Sequence, residues 1–177
     1  MRIVTWNINS VRLRIDMLMD LIDRVNPDVF CLQETKTRDE FFPVDAIVAK
    51  GYPHYHFTGI KSYNGVCIFS KHKLDNLEIH KRCGKLDARH ISAKVKAKGM
   101  NYDLHNVYIP AGGYDPDPVK NEKFKHKLDF VDELTKWFSK NRSEKDKMVV
   151  LGDLNIAPLE NDVWDHKKLI KVVSHTP

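Results

Sequence analysis

The segment Val29-Phe30-Cys31-Leu32-Gln33 constrains the fold most. It reads as a strand apolar on both faces, so it belongs in the middle of a sheet that is covered on each side. Ahead of it, residues 3–8 form a short β-prone run. Ser10 then precedes Val11, Leu13, Ile15, Leu18, Leu21 and Ile22, a spacing that predicts a helix N-capped by Ser10 and stopped at Asn26-Pro27. Residues 55–58, 65–70, 91–98, 102–109 and 148–152 read as further strands, and Lys98-Gly99-Met100-Asn101 turns a hairpin. Helix patterns cover residues 120–139 and 163–170. The turn-rich stretch 110–118 is the one long loop, and loops of this kind carry function or simply connect strand to helix.

Composition narrows the class further. With 177 residues the chain is sized for one domain, or one and a fraction. Hydrophobic residues at 42% and charged residues at 30% exclude disorder and collagen-like repeats. No apolar run approaches the ~20 residues needed to span a bilayer, and the start lacks a signal-peptide core, so a soluble cytoplasmic protein without membrane partners is expected. Cys31, Cys67 and Cys83 lack CxxC spacing and read as small apolar residues in a reducing compartment. Residues 61–100 carry ten Lys/Arg against three Asp/Glu. That excess suits a polyanion such as nucleic acid, or else a solvated edge on which Lys94, Lys96 and Lys98 alternate.

The chemistry lies where apolar strands finish. Asn7 follows Ile3-Val4-Thr5-Trp6, Glu34 follows the Val29 strand, and Asp153 with Asn155 follows Met148-Val149-Val150-Leu151-Gly152. A carboxylate at the end of a buried strand is costly unless paired, solvated or bound to a cation, so convergence of these groups would suit a hard ion such as Mg²⁺. Each residue alone also has a structural reading: Asn7 capping a turn, Glu34 pairing with Lys36, and Gly-Asp opening a loop.

Five motifs occur in order: Thr5-Trp6-Asn7-Ile8-Asn9-Ser10-Val11-Arg12, Gln33-Glu34-Thr35-Lys36, Tyr63-Asn64-Gly65-Val66-Cys67-Ile68, Asn106-Val107-Tyr108-Ile109-Pro110 and Gly152-Asp153-Leu154-Asn155-Ile156-Ala157-Pro158, the last followed by Asp162-Val163-Trp164. The set resembles the exonuclease III-type apurinic/apyrimidinic endonucleases of the endonuclease/exonuclease/phosphatase superfamily, along the whole chain. The resemblance implies an α+β fold, a four-layered αββα sandwich. It also implies a Mg²⁺-dependent phosphodiesterase, with Mn²⁺ as a substitute ion, that cleaves double-stranded DNA at abasic sites and trims 3′ ends. Matched by motif, Glu34 is the main metal ligand with Asn7, Asp153 and Asn155 beside it. Asp153 orients or deprotonates water, Asn155 holds the scissile phosphate and Tyr108 contacts it. Asp87-Ala88-Arg89 resembles the family's acidic-small-arginine loop near DNA.

The resemblance also implies what is missing. Family members continue into a C-terminal segment that completes the second sheet and carries a second catalytic Asp, an aromatic residue at the abasic pocket and a Ser-Asp-His motif. Residues 1–177 are therefore expected to be the N-terminal part of a single domain, incomplete on its C-terminal side, inactive or dependent on a complementing fragment. His175 lacks the motif's context and is expected to lie at a frayed end. His54 and His56 share a strand face and are expected at the surface. Two alternatives stay open: another phosphatase or DNase of the superfamily, since substrate choice lives in loops, and a noncatalytic nucleic-acid-binding remnant.

Overall fold

The computed structural model describes residues 1–97 and 99–176, so Lys98 of the expected hairpin and lysine row lies outside the described residues. These residues form two units. One comprises residues 1–81, 85–108 and 145–153; the other comprises residues 82–84, 109–144 and those from Leu154 onward.

The first unit holds two mixed four-stranded sheets. Strands β1 (Ile3–Asn7), β2 (Val29–Gln33), β3 (His54–Ile60) and β4 (Tyr63–Ser70) assemble in the order β1-β2-β4-β3; β5 (Leu74–Ile79), β6 (His90–Ala97), β7 (Met100–Tyr108) and β8 (Met148–Asp153) assemble in sequence order. As expected, β2 is buried along its whole length, between parallel β1 and antiparallel β4. Its side chains serve two cores. Val29 and Cys31 join Val66 and Ile68 of β4 against Ile91, Ala93, Val95 and Leu104 of the second sheet, making the interior of a β-sandwich. Phe30 and Leu32 face the other way, onto Leu18 and Ile22 of helix α1 (Ile15–Val25) and Ile47 of helix α2 (Val44–Ala49). Each such buried side chain contributes about 1.5–3 kcal/mol, so this doubly covered strand is the mechanical base for whatever its end presents.

Helix α1 begins four residues later than the Ser10 cap predicts, with Arg14 at the cap position and no side-chain cap. Ser10 instead adopts a positive φ of 86°. Its N–H donates to the Glu34 carbonyl at 2.7 Å, and that of Val11 donates to the Thr35 carbonyl at 3.1 Å. Pairing between the two loops outweighed the local cap. At its other end α1 stops at Asn26, left-handed as a C-cap before Pro27. Strand β5 and helix α2 were not anticipated. Cys31 and Cys67 are buried free thiols, in keeping with their expected apolar role.

The second unit contains helix α3 (Glu122–Asn141) and the one-turn helix α4 (His166–Leu169). The Asn121 side chain caps α3 by accepting from the N–H groups of Lys123 and Phe124, which sets its start two residues inside the expected range. Asp165 caps α4, and only the middle of the range 163–170 is helical. His175 is no frayed end. It is buried, with Nδ1 2.5 Å from the Ala157 carbonyl and Nε2 2.8 Å from His166 Nδ1. His54 and His56, expected at the surface, are half-buried in β3, and His56 Nε2 lies 3.0 Å from the Glu78 carbonyl. No described helix is long and apolar enough to cross a membrane.

Candidate active site

The first unit brings together Asn7, Glu34, Tyr108 and Asp153, from the ends of four strands. Register explains the meeting: Asn7 pairs with Gln33 in the first sheet, and Tyr108 pairs with Asp153 in the second. The sandwich therefore ends β1, β2, β7 and β8 on the same side. Beneath them Gln33 Nε2 donates to Asn106 Oδ1 at 2.7 Å, and Asn106 Nδ2 donates to the carbonyls of Leu32 (3.0 Å) and Cys67 (2.8 Å). This buried, saturated amide network ties one sheet to the other directly under the cluster.

Two backbone features hold the ends in place. Glu34 has φ +52° and Lys36 also +52°, conformations that non-glycine residues adopt uncommonly. Gly152, at φ +137°, pairs with Val107, and a Cβ there would sit 1.9 Å from the Val107 carbonyl oxygen. Only glycine lets β8 approach closely enough to deliver Asp153.

Asn7 is the hub. Its Nδ2 donates to Glu34 Oε1 at 2.9 Å and to Asp153 Oδ2 at 2.8 Å, while its Oδ1 accepts from the Asn9 N–H at 3.1 Å. One neutral amide thus gathers two carboxylates without adding charge. Glu34 Oε1 also accepts the Tyr108 hydroxyl at 2.7 Å, and Oε2 meets Lys36 Nζ at 2.7 Å. Burial alone would raise the Glu34 pKa, but the hydrogen bonds from Asn7, Lys36 and Tyr108 outweigh it and hold the carboxyl below its ordinary value. Burial, then the hydrogen bond to Glu34 and its charge, push the Tyr108 phenol well up, so it remains a neutral donor.

Arg89 supports the tyrosine. Its guanidinium lies 4.7 Å from the Tyr108 ring centroid, donates to the Tyr108 carbonyl at 3.3 Å and pairs with Asp87 at 2.9 Å. The motif Asp87-Ala88-Arg89 is thereby placed behind the cluster, with Arg89 only 6% exposed.

Asn155 lies in the second unit, where its side-chain amide donates to the Ile109 carbonyl at 2.9 Å. Its backbone is held by Lys127, a buried lysine whose Nζ donates to the carbonyls of Asn155 (2.6 Å), Val173 (2.9 Å) and Ala111 (3.4 Å). Sequence reasoning missed Lys127, because a lysine in a charged helix carries no signal of burial.

The basic stretch 61–100 does not form one surface. Arg82 and Arg89 are buried, and Lys73 and Lys96 share Asp75. Lys94 is exposed on β6. A different basic feature appears instead: a concavity of about 360 Å³ lined by Arg12, Lys36, Thr37, Arg38, Phe41, Lys61 and Ser62. Lys36 belongs to both it and the carboxylate cluster. Four cations from three separate segments converge here, and no local charge run foretold it.

Oxygen donors dominate the cluster, and two carboxylates meet there at one amide. That set fits a hard divalent cation, which takes one or two protein carboxylates and keeps several waters.

Comparison with known proteins places these features in a family context. The Endonuclease/Exonuclease/phosphatase family pattern matches residues 4–172. Exodeoxyribonuclease III of Haemophilus influenzae is 28% identical over 172 residues, covering 92% of this chain and 60% of that protein. An AP endonuclease from Archaeoglobus fulgidus superposes with a TM-score of 0.88 at 31% identity, covering 99% of this chain and 65% of that one. The 3′ phosphatase NExo from Neisseria, bound to a product DNA hairpin, gives 0.86 at 31% identity, covering 98% and 65%. The chain therefore spans 60–65% of the length of these relatives.

Proposed function

Because the chain belongs to the Endonuclease/Exonuclease/phosphatase family, we propose that Asn7, Glu34, Tyr108 and Asp153 form the divalent-metal site of a DNA-repair phosphodiesterase that acts at abasic sites and 3′ ends. The names of its relatives, an exodeoxyribonuclease, an AP endonuclease and a 3′ phosphatase, support that substrate class. The observation that carries the reading is the single Asn7 amide bridging the Glu34 and Asp153 carboxylates. The family match over residues 4–172 takes in residues of both units, which supports reading them as parts of one catalytic domain.

Glu34 and Asp153 would hold Mg²⁺, with Mn²⁺ as a substitute. When bound, such an ion neutralises the non-bridging phosphate oxygens and stabilises the leaving 3′ oxygen. The remaining roles belong to the chain's own side chains. Asn7 keeps the carboxylates in register and orients Asp153, which accepts a proton from, or aligns, the attacking water. Tyr108, neutral and backed by Arg89, is the donor that can turn from Glu34 to a phosphate oxygen. Asn155 offers amide N–H groups to the scissile phosphate without adding negative charge to an anionic substrate. The concavity of Arg12, Lys36, Arg38 and Lys61 takes the flanking DNA backbone, where each neutralised phosphate releases counterions.

The test is incision of an abasic duplex and removal of a 3′ phosphate by this chain, in Mg²⁺ and in EDTA. Metal-dependent cleavage that Glu34→Gln abolishes supports the proposal. Salt-dependent DNA binding with no cleavage in Mg²⁺ or Mn²⁺, also after addition of a relative's C-terminal segment, would instead select the noncatalytic reading. Cleavage of inositol phosphates or of phosphomonoesters other than a DNA 3′ phosphate, in preference to DNA, would select another branch of the family.

A further inference from the structure

On the second sheet, on side chains that the carboxylate cluster does not use, three histidines converge. His80 follows β5, His90 opens β6 and His105 lies in β7. The register brings them to one face: the His80 N–H donates to the His90 carbonyl at 2.9 Å, and Ser92, two residues beyond His90, pairs with His105. Ile91, Ala93 and Val95 alternate with them and face the sandwich interior, so the imidazoles occupy the opposite face. His90 and His105 have no exposed surface, and the His80 side chain is 7% exposed.

We propose that His80, His90 and His105 bind a borderline-soft divalent ion, Zn²⁺ in the first instance, at a site separate from the carboxylate cluster. One ring nitrogen from each lies within 4.8 Å of the others. Tetrahedral zinc–imidazole bonds of ~2.0–2.1 Å put bound nitrogens roughly 3.3 Å apart, so ion binding requires the His80 and His90 rings, now stacked with centroids 4.0 Å apart, to turn out of that stack. His90 Nε2 and His105 Nδ1 are already 3.0 Å apart. Two nitrogens at that distance either share one proton or share one cation.

The surroundings also supply the second feature of such sites, a polar neighbour beside the ligating ring, for His105 and His80. With Nδ1 of His105 turned to His90, its Nε2 lies 3.5 Å from Asp103 Oδ2, so a carboxylate stands beside the ring on the side away from the proposed ion. His80 Nε2 lies 2.8 Å from Ser92 Oγ, which fixes that ring. Three imidazoles leave a fourth position for water, the make-up of a zinc centre with an open site. All-nitrogen donors disfavour Mg²⁺, which prefers oxygen, and favour zinc, cobalt or nickel. β5 is the edge strand of its sheet, so His80 gives the ion a way in.

The experiment uses the whole chain, stripped with a chelator and held in excess Mg²⁺ so that the carboxylate cluster is occupied. Zn²⁺ is added, the protein is desalted and bound metal is counted. Co²⁺ is used in parallel for its visible d–d bands. The proposal expects about one equivalent of retained Zn²⁺, a tetrahedral Co²⁺ spectrum, and a melting temperature that rises with Zn²⁺. Retention should fall at least tenfold in His80→Gln and in His105→Gln, and persist in Glu34→Gln. Folding of each variant is checked by circular dichroism, and the wild-type measurements stand even if a variant fails to fold. Wild-type protein that retains no Zn²⁺ and shows no melting shift would overturn the proposal, leaving a hydrogen-bonded histidine cluster. So would loss of Zn²⁺ in Glu34→Gln, or full retention in folded His80→Gln and His105→Gln.

Discussion

The Tyr108 hydroxyl donates to Glu34 Oε1 across 2.7 Å, joining the last residue of β7 in one sheet to the residue that follows β2 in the other. This bond makes the Glu34 carboxylate answerable to both halves of the sandwich. With Asn7 and Lys36 it also keeps the carboxylate ionised below its ordinary pKa of 4.5.

Tyr108→Phe removes one of those donors, so the Glu34 pKa should rise. A carboxylate whose folded pKa is depressed adds stability that is full above the unfolded value and fades as pH falls through the folded one. In EDTA, the urea midpoint of the wild type should therefore decline from about pH 5 downward, and Tyr108→Phe should show a shallower decline. Identical profiles would mean that the bond does not govern the charge of Glu34.

Asp153→Asn keeps an oxygen to accept from Asn7 Nδ2, so the cluster's shape should survive. Abasic DNA should bind with little change while turnover falls by roughly 10²–10⁴, the effect of losing a group that handles a proton in the transition state. Parallel loss of binding and turnover would make Asp153 a structural residue.

Gly152→Ala places a Cβ against the Val107 carbonyl at a backbone angle that alanine resists. Destabilisation of about 2–4 kcal/mol is expected, read as a lower urea midpoint, with β8 and Asp153 displaced. An unchanged midpoint would show that β8 shifts without cost.

How much of this was legible in the sequence differs from residue to residue. Glu34 and Asp153 stood out because an uninterrupted apolar strand ending in a carboxylate is hard to explain by packing. β2 was legible for the same reason. The Ser10 cap misled because its signal is local, whereas the pairing of Ser10 and Val11 with the Glu34–Thr35 loop is long-range. β5 escaped notice because Leu74–Ile79 carries little apolar pattern and lies largely exposed at an edge. The histidine cluster and the Arg12–Lys36–Arg38–Lys61 concavity were invisible for a further reason. Each is assembled by register and loop placement from segments that look unremarkable alone.

That concavity gives a salt test. Replacing Arg12, Arg38 and Lys61 with Gln one at a time should lower the slope of log binding constant against log salt by about 0.9 for each phosphate that is no longer neutralised. The same replacement of Lys94, which is exposed on β6, should leave the slope unchanged. The reverse pattern would move the DNA path to the β6 edge.

The central claim is that Glu34 and Asp153, gathered by Asn7, hold one hard divalent ion. Electron paramagnetic resonance of free Mn²⁺ measures it directly, using chain whose histidine cluster has first been filled with Zn²⁺. The account predicts one bound Mn²⁺, displaced by Mg²⁺, with affinity at least tenfold weaker in Glu34→Gln. Mn²⁺ binding of equal strength in wild type and Glu34→Gln, or none in either, would contradict it.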